Sequence, residues 1–269
     1  MSETHTYRAM GERRFGRFNA LGLRTLVERE IRRFSNVWRQ TLLAPVATAA
    51  LFMTVFSLAL TARRGEASPE FMAFLAPGIL MMTVIQNAFA NTSSSLLVSK
   101  VQGNIVDTLM PPLSAAELTA GYVIGGVARG LFVAFGVALV IFPVIGLGIS
   151  HPIWALAFII AGATLMATLG VMAATIAQKF DHMSAITNFV VTPLSFLSGT
   201  FYSITILPGW MQMISHLNPF FYMIDGIRYG VIGQSDANPV LGILFVAAVD
   251  AVLLGITWYW FRTGYKLKP

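Results

Sequence analysis

The sequence predicts an all-α membrane protein. Six transmembrane helices follow an N-terminal amphipathic interfacial helix. A short cytoplasmic helix lies between two spans, and external re-entrant helices come before the last span. Three observations predict this. The chain is 56% hydrophobic, only 11% charged, and has a mean hydropathy of +0.70, whereas soluble domains carry roughly 25% charged residues. Several apolar runs reach the roughly 20 residues needed to cross hydrocarbon. One segment, 188–233, starts as an apolar span and then breaks at Pro193, Gly199, Pro208 and Pro219. Irregular backbone at membrane depth survives only where protein or a water-filled cavity satisfies it.

The elements follow in order. Met1 to Gly16 is polar and Arg-rich, with no short apolar region and cleavage site of a secretory signal. Residues 20–38 read as an amphipathic helix, because Leu23, Val27, Ile31, Phe34 and Trp38 recur at helical spacing. Its Arg residues and terminal Trp suit a membrane surface. The alternative is a solvated lead-in to the first span. The spans are predicted at 40–61, 71–98, 117–143, 153–177, 184–203 and 239–261. The whole of 1–269 reads as one transmembrane domain: 1–38 is a cytoplasmic tail and interfacial helix, and 39–269 is the six-span bundle. Fourteen Lys and Arg fall on one side of these spans and three, Arg63, Arg64 and Arg228, on the other. The positive-inside rule then puts both termini in the cytoplasm. It also explains the net charge of +6 without a nucleic-acid partner.

Four features could carry function. Between spans 2 and 3, Val98, Val101, Ile105 and Leu109 form an apolar stripe beside Lys100, Asn104 and Asp107. Pro111-Pro112 stops this helix, and Ser114-Ala-Ala-Glu117 matches a capping box that starts span 3. The helix is either a plain connector or a lever for a cytoplasmic partner. In span 2, Thr83, Asn87, Asn91 and Ser94 form a polar stripe, which either bonds another helix or lines a path. Arg129 and Asp250 are ionisable groups inside spans 3 and 6. Each is costly there, so they are expected to pair or to share a polar interior. Beyond span 5, Trp210 and the aromatics at 220–222 suit an interface. Asn218-Pro219 reads as an N-cap followed by Pro at the first helical position. This segment is either an ordinary outer loop or a re-entrant pair of short helices.

The chain has no Cys, so disulfides and thiolate metal sites are excluded, and no metal site is expected. No phosphate-binding G-x-x-x-x-G-K-[ST] motif is present, so the chain is not expected to hydrolyse ATP. No catalytic residues are expected. Ser195 or Ser198 with His182 or His216 could be drawn as a hydrolase dyad, but nothing in the sequence fixes their geometry.

Together these elements resemble the permease subunits of type 2 ABC exporters (ABC-2 type). The run from Gly103 to Val123, GNIVDTLMPPLSAAELTAGYV, is similar to the family's coupling-helix loop. PLSFLSGTFY (Pro193 to Tyr202), then Pro208-Gly-Trp210, Asn218-Pro219 and Arg228, resembles its fifth span and re-entrant helices. One departure is Asn104, where many members carry Arg or Lys. The resemblance implies a homodimer with two separate ATP-binding subunits, which hold ATP and Mg; this chain itself would bind no cofactor. It implies ATPase coupling through Lys100, Val101, Ile105, Asp107 and Leu109. It places the substrate route along spans 2 and 5, with Thr83, Asn87, Asn91, Phe189 and Phe196. An outer gate would use Phe201, Pro208, Trp210, Asn218 and Pro219. The expected setting is the inner (plasma) membrane, with membrane lipids as neighbours. The expected cargo is amphipathic, lipid-like, a drug or a glycoconjugate. Two other readings stay open: a membrane-embedded lipid-modifying enzyme, and a non-catalytic sensor or assembly protein.

Overall fold

The computed structural model describes residues 18–64 and 69–267. The polar N-terminal stretch, the loop centred on Glu66, and Lys268 lie outside these residues. Every regular element among the described residues is helical: α1 (Ala20–Ser35), α2 (Trp38–Arg64), α3 (Pro69–Val101), α4 (Ile105–Leu109), α5 (Ala115–Ile145), α6 (Pro152–Ile176), α7 (Phe180–Ile186), a π-turn (Thr187–Val191), α8 (Thr192–Leu197), a 3-10 turn (Ile204–Ile206), α9 (Gly209–His216), α10 (Pro219–Ile232) and α11 (Pro239–Thr263). Five helices (α2, α3, α5, α6 and α11) are long and apolar enough to cross a membrane.

The fifth predicted range, 184–203, is not one plain helix. It comprises α7, the π-turn and α8, and helix ends at Leu197. The three pieces together extend about 27 Å at 1.5 Å per residue. Ser198 leaves helical geometry and Gly199 follows at φ +85°, a conformation that favours glycine. The turn packs tightly on α3. A methyl group on Gly78 of α3 would sit 2.7 Å from the Thr200 carbonyl oxygen.

α3 is the central strut. It packs along α6 and α5, and residues such as Leu75, Ile79, Val84 and Leu97 are buried. Small side chains let the helices approach, as in membrane bundles generally. Ala163 and Ala167 of α6 meet α3 and α5, and a Cβ on Gly126 would lie 2.6 Å from the Ala167 methyl. Thr92 Oγ1 donates across the contact to the Ala167 carbonyl at 2.8 Å.

The helix ends are closed by local chemistry. Ser114 and Glu117 form the reciprocal capping box of α5. Asn218 accepts from Phe220 N at 3.0 Å and starts α10, with Pro219 in its first turn. Asn238 and Pro239 repeat this device at α11. The α5–α6 turn covers the end of α10, because Ser150 N donates to Val231 O at 2.9 Å and His151 N to Gly230 O at 2.7 Å.

The two short helices after α8 differ sharply. α9 has no buried residue. α10 is buried along most of its length, from Phe220 to Val231, and packs on α6, α11 and α3. It is a core element, not a surface amphipathic piece.

The α3–α6 contact has little slack. A Cβ on Gly170 would lie 2.2 Å from Thr92 Oγ1 and 2.6 Å from the Phe89 carbonyl oxygen. We expect Gly170→Ala to destabilise the detergent-solubilised protein by about 1–3 kcal/mol. Gly148→Ala, which meets nothing within 4 Å, should leave thermal unfolding unchanged.

Candidate functional site

The richest polar constellation lies where α1 docks on the bundle end formed by the C-terminus of α3, α4 and the start of α5. The face of α1 that packs is centred on Leu26, Glu30 and Phe34, all buried. Leu23, Val27 and Ile31, expected as the apolar face toward the membrane surface, are half-buried. Trp38 belongs to α2 and is half exposed. Glu30 sits inside the apolar stripe and is 0% exposed. Its Oε1 accepts from Ser95 Oγ of α3 at 2.8 Å and from Arg29 Nη2 at 3.1 Å. Its Oε2 lies 3.5 Å from Arg33 Nη2.

The two arginines carry the contact outward. Arg29 donates to Thr108 of α4 at 2.9 Å and to the Tyr122 hydroxyl of α5 at 3.3 Å. Arg33 donates to Ser94 Oγ at 3.0 Å and to Asn91 Oδ1 at 3.0 Å. Burial pushes the Arg33 guanidinium below its ordinary pKa, with Glu30 opposing the shift. On the exposed side of α1, the Arg24 hydrogen bond holds the Glu28 carboxyl below the usual carboxylate range.

A second tie joins α1 to the α4–α5 loop. Glu117 accepts from the backbone N–H of Asn19 as well as from Ser114. Asn19 Nδ2 donates to the Pro112 carbonyl at 3.2 Å and Asn19 Oδ1 caps Gly22 N at 2.9 Å. One carboxylate thus caps α5 and anchors the start of α1.

The predicted coupling residues divide into two groups. Val101 and Leu109 are exposed, Val101 at 48%, and Asp107 is also exposed. Ile105 is buried at 2% and faces the bundle, so it is not part of an exterior knob. The missed apolar positions are Val106 and Met110, exposed at 52% and 76%. Placing a helix start at Asn104 and following its spacing would have found them. Lys100 does not stand at a rim. Its Nζ donates to the carbonyls of Ala174, Thr175 and Ala177 at 2.7–3.0 Å, where a cation complements the C-terminal end of α6.

The polar stripe of α3 is largely used inside the subunit. Thr83 and Asn91 are buried. Thr83 bonds its own helix at Leu80, and Asn91 receives Arg33. Asn87 Oδ1 accepts from Arg129 Nη2 at 3.1 Å. Among the described residues no ion pair joins Arg129 to Asp250. Asp250 is buried on α11, and its Oδ1 has no hydrogen-bond partner. Phe189, within the π-turn, is 81% exposed. Phe196 joins Phe52, Phe56 and Phe201 in a ring cluster with centroids 5.0–6.0 Å apart, which holds the end of α8 against α2.

At the other end of the bundle, Pro208 precedes α9 and Trp210 is 66% exposed. Asn218 caps α10 and also donates to Ser198 Oγ at 2.9 Å. A buried pair missed from sequence organises this end. Arg228 donates to the Gly199 carbonyl at 2.7 Å, lies 3.6 Å from Asp225, and stacks 3.8 Å over the Phe74 ring. Asp225 accepts from the N–H groups of Asp236 and Ala237 at 2.8 and 3.0 Å. Asp236 in turn accepts from Ser203 Oγ and Ile204 N. The spacing of three between Asp225 and Arg228, one helical face, was the available signal.

We expect Glu117→Ala to free the start of α1 while the bundle stays folded. Hydrogen exchange of the Gly22–Leu26 amides should rise, with a stability loss of about 1 kcal/mol for the lost cap.

The ABC-2 type transporter family model matches residues 22–232. The chain is 38% identical over 251 residues to the inner membrane transport permease YadH of Escherichia coli K12, covering 92% of this chain and 97% of that protein. It is 26% identical over 192 residues to Nodulation protein J of Rhizobium leguminosarum bv. viciae, covering 69% and 73% of the two chains. It is 24% identical over 234 residues to the daunorubicin resistance ABC transporter permease protein DrrB1 of Streptomyces coeruleorubidus, covering 79% and 76%.

Proposed function

Because the chain belongs to the ABC-2 type transporter family, we propose that it is the membrane subunit of an ATP-driven exporter in the inner membrane. A separate ATP-binding subunit holds ATP and Mg and performs hydrolysis. Two copies of the chain form the translocating unit, embedded in lipid, with both termini cytoplasmic. In this reading the helical run 180–197 is the sixth crossing segment, α9 and α10 re-enter from the outer side, and α4 is the coupling helix.

The observation that carries the reading is the construction of α4. It is five residues long, yet Val106, Leu109 and Met110 stand exposed beside Val101. The buried Ile105, the Arg29–Thr108 bond and the capped α5 fix its base. An apolar patch on a rigid mount is suited to a protein partner. A push on it would reach α1 through Arg29 and Glu30, and α3 through Ser95.

The route is proposed along the faces of α2 and the α7–α8 run. α2 is the least buried of the five long helices. It exposes Thr48 and Thr54, and the π-turn exposes Asn188 beside Phe189. π-turns inside helices are often found at functional sites. This shifts the expected lining from α3 to α2. Of the α3 stripe, Asn87 keeps an open side and Thr83 and Asn91 do not. Polar groups interleaved with Phe suit an amphipathic, lipid-like or drug-like cargo. The name of the daunorubicin resistance relative fits a drug-like cargo.

The test is co-purification with the ATP-binding protein encoded beside it, followed by ATPase activity in lipid nanodiscs. Turnover should require both chains. Leu109→Asp or Met110→Asp should lower complex formation at least about tenfold, since each puts a charge into an apolar contact, with membrane insertion unchanged. Turnover unaffected by either substitution would remove α4 as the docking element.

A further inference from the structure

A cavity lies at the elbow between α1 and α2. It has a volume of about 530 Å³ and is lined by Arg33, Gln40, Thr48, Gln86, Asn87 and Arg129 among others. Its charge does not balance. Two arginines, Arg33 and Arg129, line it, and among the described residues no carboxylate does. Glu30 is in ion-pair range of Arg29 and Arg33, and Arg129 has no carboxylate within that range among the described residues. Of the two lining arginines, only Arg33 has a carboxylate in range, so the charge of Arg129 is uncompensated. Arg129 makes one side-chain hydrogen bond, to Asn87, and its Nε is buried without a partner. Arg33 Nε is likewise buried without a partner. Leaving such donors unpaired is costly, and an anion in the cavity would satisfy them.

Position in the membrane narrows what completes it. Trp38 opens α2 and is half exposed, and the Arg39 guanidinium lies 5.8 Å from its ring. Trp and Arg at the start of a span mark the interface. The cavity is walled by the first turns of α2, from Gln40 to Thr48, which cover about 12 Å of helix. Gln40, Ala44 and Thr48 are exposed, so the cavity opens sideways at that level. Two guanidinium groups and two glutamine amides present donors to it, a set suited to a phosphate oxygen cluster.

We propose that this cavity binds the phosphate of an anionic lipid headgroup at the membrane interface. Arg129 is the principal contact, and Arg33 and Gln86 complete it. The bound phosphate would brace the elbow by bridging α1, α3 and α5. The site is separate from the α4 docking patch.

The experiment uses the full chain in nanodiscs and compares phosphatidylglycerol with phosphatidylcholine. Native mass spectrometry reads retained lipid, and thermal unfolding reads stabilisation. Phosphatidylglycerol should be retained and should raise Tm, and Arg129→Gln should reduce retention about tenfold, the loss of one charge-assisted contact. Arg129→Lys should recover part of it. Arg39→Gln, outside the cavity, should retain lipid normally. A second arm adds inorganic phosphate to phosphatidylcholine nanodiscs. An Arg129-dependent rise in Tm there supports the same phosphate chemistry and assigns it to a soluble ligand. Equal retention of the two lipids by the unsubstituted protein, with no Tm response to phosphate, overturns the proposal. So does an equal loss on Arg39→Gln, which would mean unspecific surface attraction. Both readouts are independent of any ATP-binding subunit, so failure here leaves the permease reading standing and failure there leaves this site standing.

Discussion

The fold depends on the burial of one carboxylate. Glu30 has no exposed surface, and a lone ionised group in such a place would be prohibitive. It persists because Ser95, Arg29 and Arg33 converge on it. Those partners belong to α1 and α3, and Arg29 reaches on to α4 and α5. A helix that would otherwise float on the membrane surface is thereby locked to three others. Gly125 faces Glu30 because any larger side chain would collide with it: a Cβ there would lie 2.4 Å from the Glu30 Cβ.

The rest of the bundle repeats this logic with other materials. Along α3, small residues and Thr92 allow close helix contact without charge. At the far end, Arg228 and Asp225 do for α10 what Glu30 does for α1. They satisfy the backbone of the Gly199 turn and of residues 236–237, where the chain has no helical partner of its own. Irregular backbone in that position requires such donors and acceptors. The two polar clusters sit at opposite ends of α3, so a displacement of α1 or α4 has a continuous packed route toward α8 and α10.

Much of this was legible in the sequence. Five spans were placed within a few residues because each is a long apolar run bounded by Pro, Gly or charge. The caps at Ser114 and Asn218 were legible because capping is local chemistry between neighbours in sequence. The 184–203 range was not, because the turn at Gly199 packs on Gly78 of α3, distant in sequence. For the same reason Ile105 and Lys100 read as surface residues: the sequence shows an apolar stripe and a cation, but not the Ala174 and Thr175 carbonyls that Lys100 caps. The exposed positions on α4 required the helix phase, which a five-residue helix barely displays. Glu30 was hidden in a charged segment, although Leu26, Glu30 and Phe34 at spacings of four placed it inside an apolar face.

If the buried Glu30 carboxylate ties α1 to the bundle end, α1 and α4 move as one body. Hydrogen–deuterium exchange of the assembled complex, with and without ATP, tests it most directly. In the unsubstituted protein, ATP should alter exchange in α1 and α4 together. In Glu30→Gln the response should stay in α4 and vanish from α1. A response of α1 that survives the substitution unchanged would contradict the account.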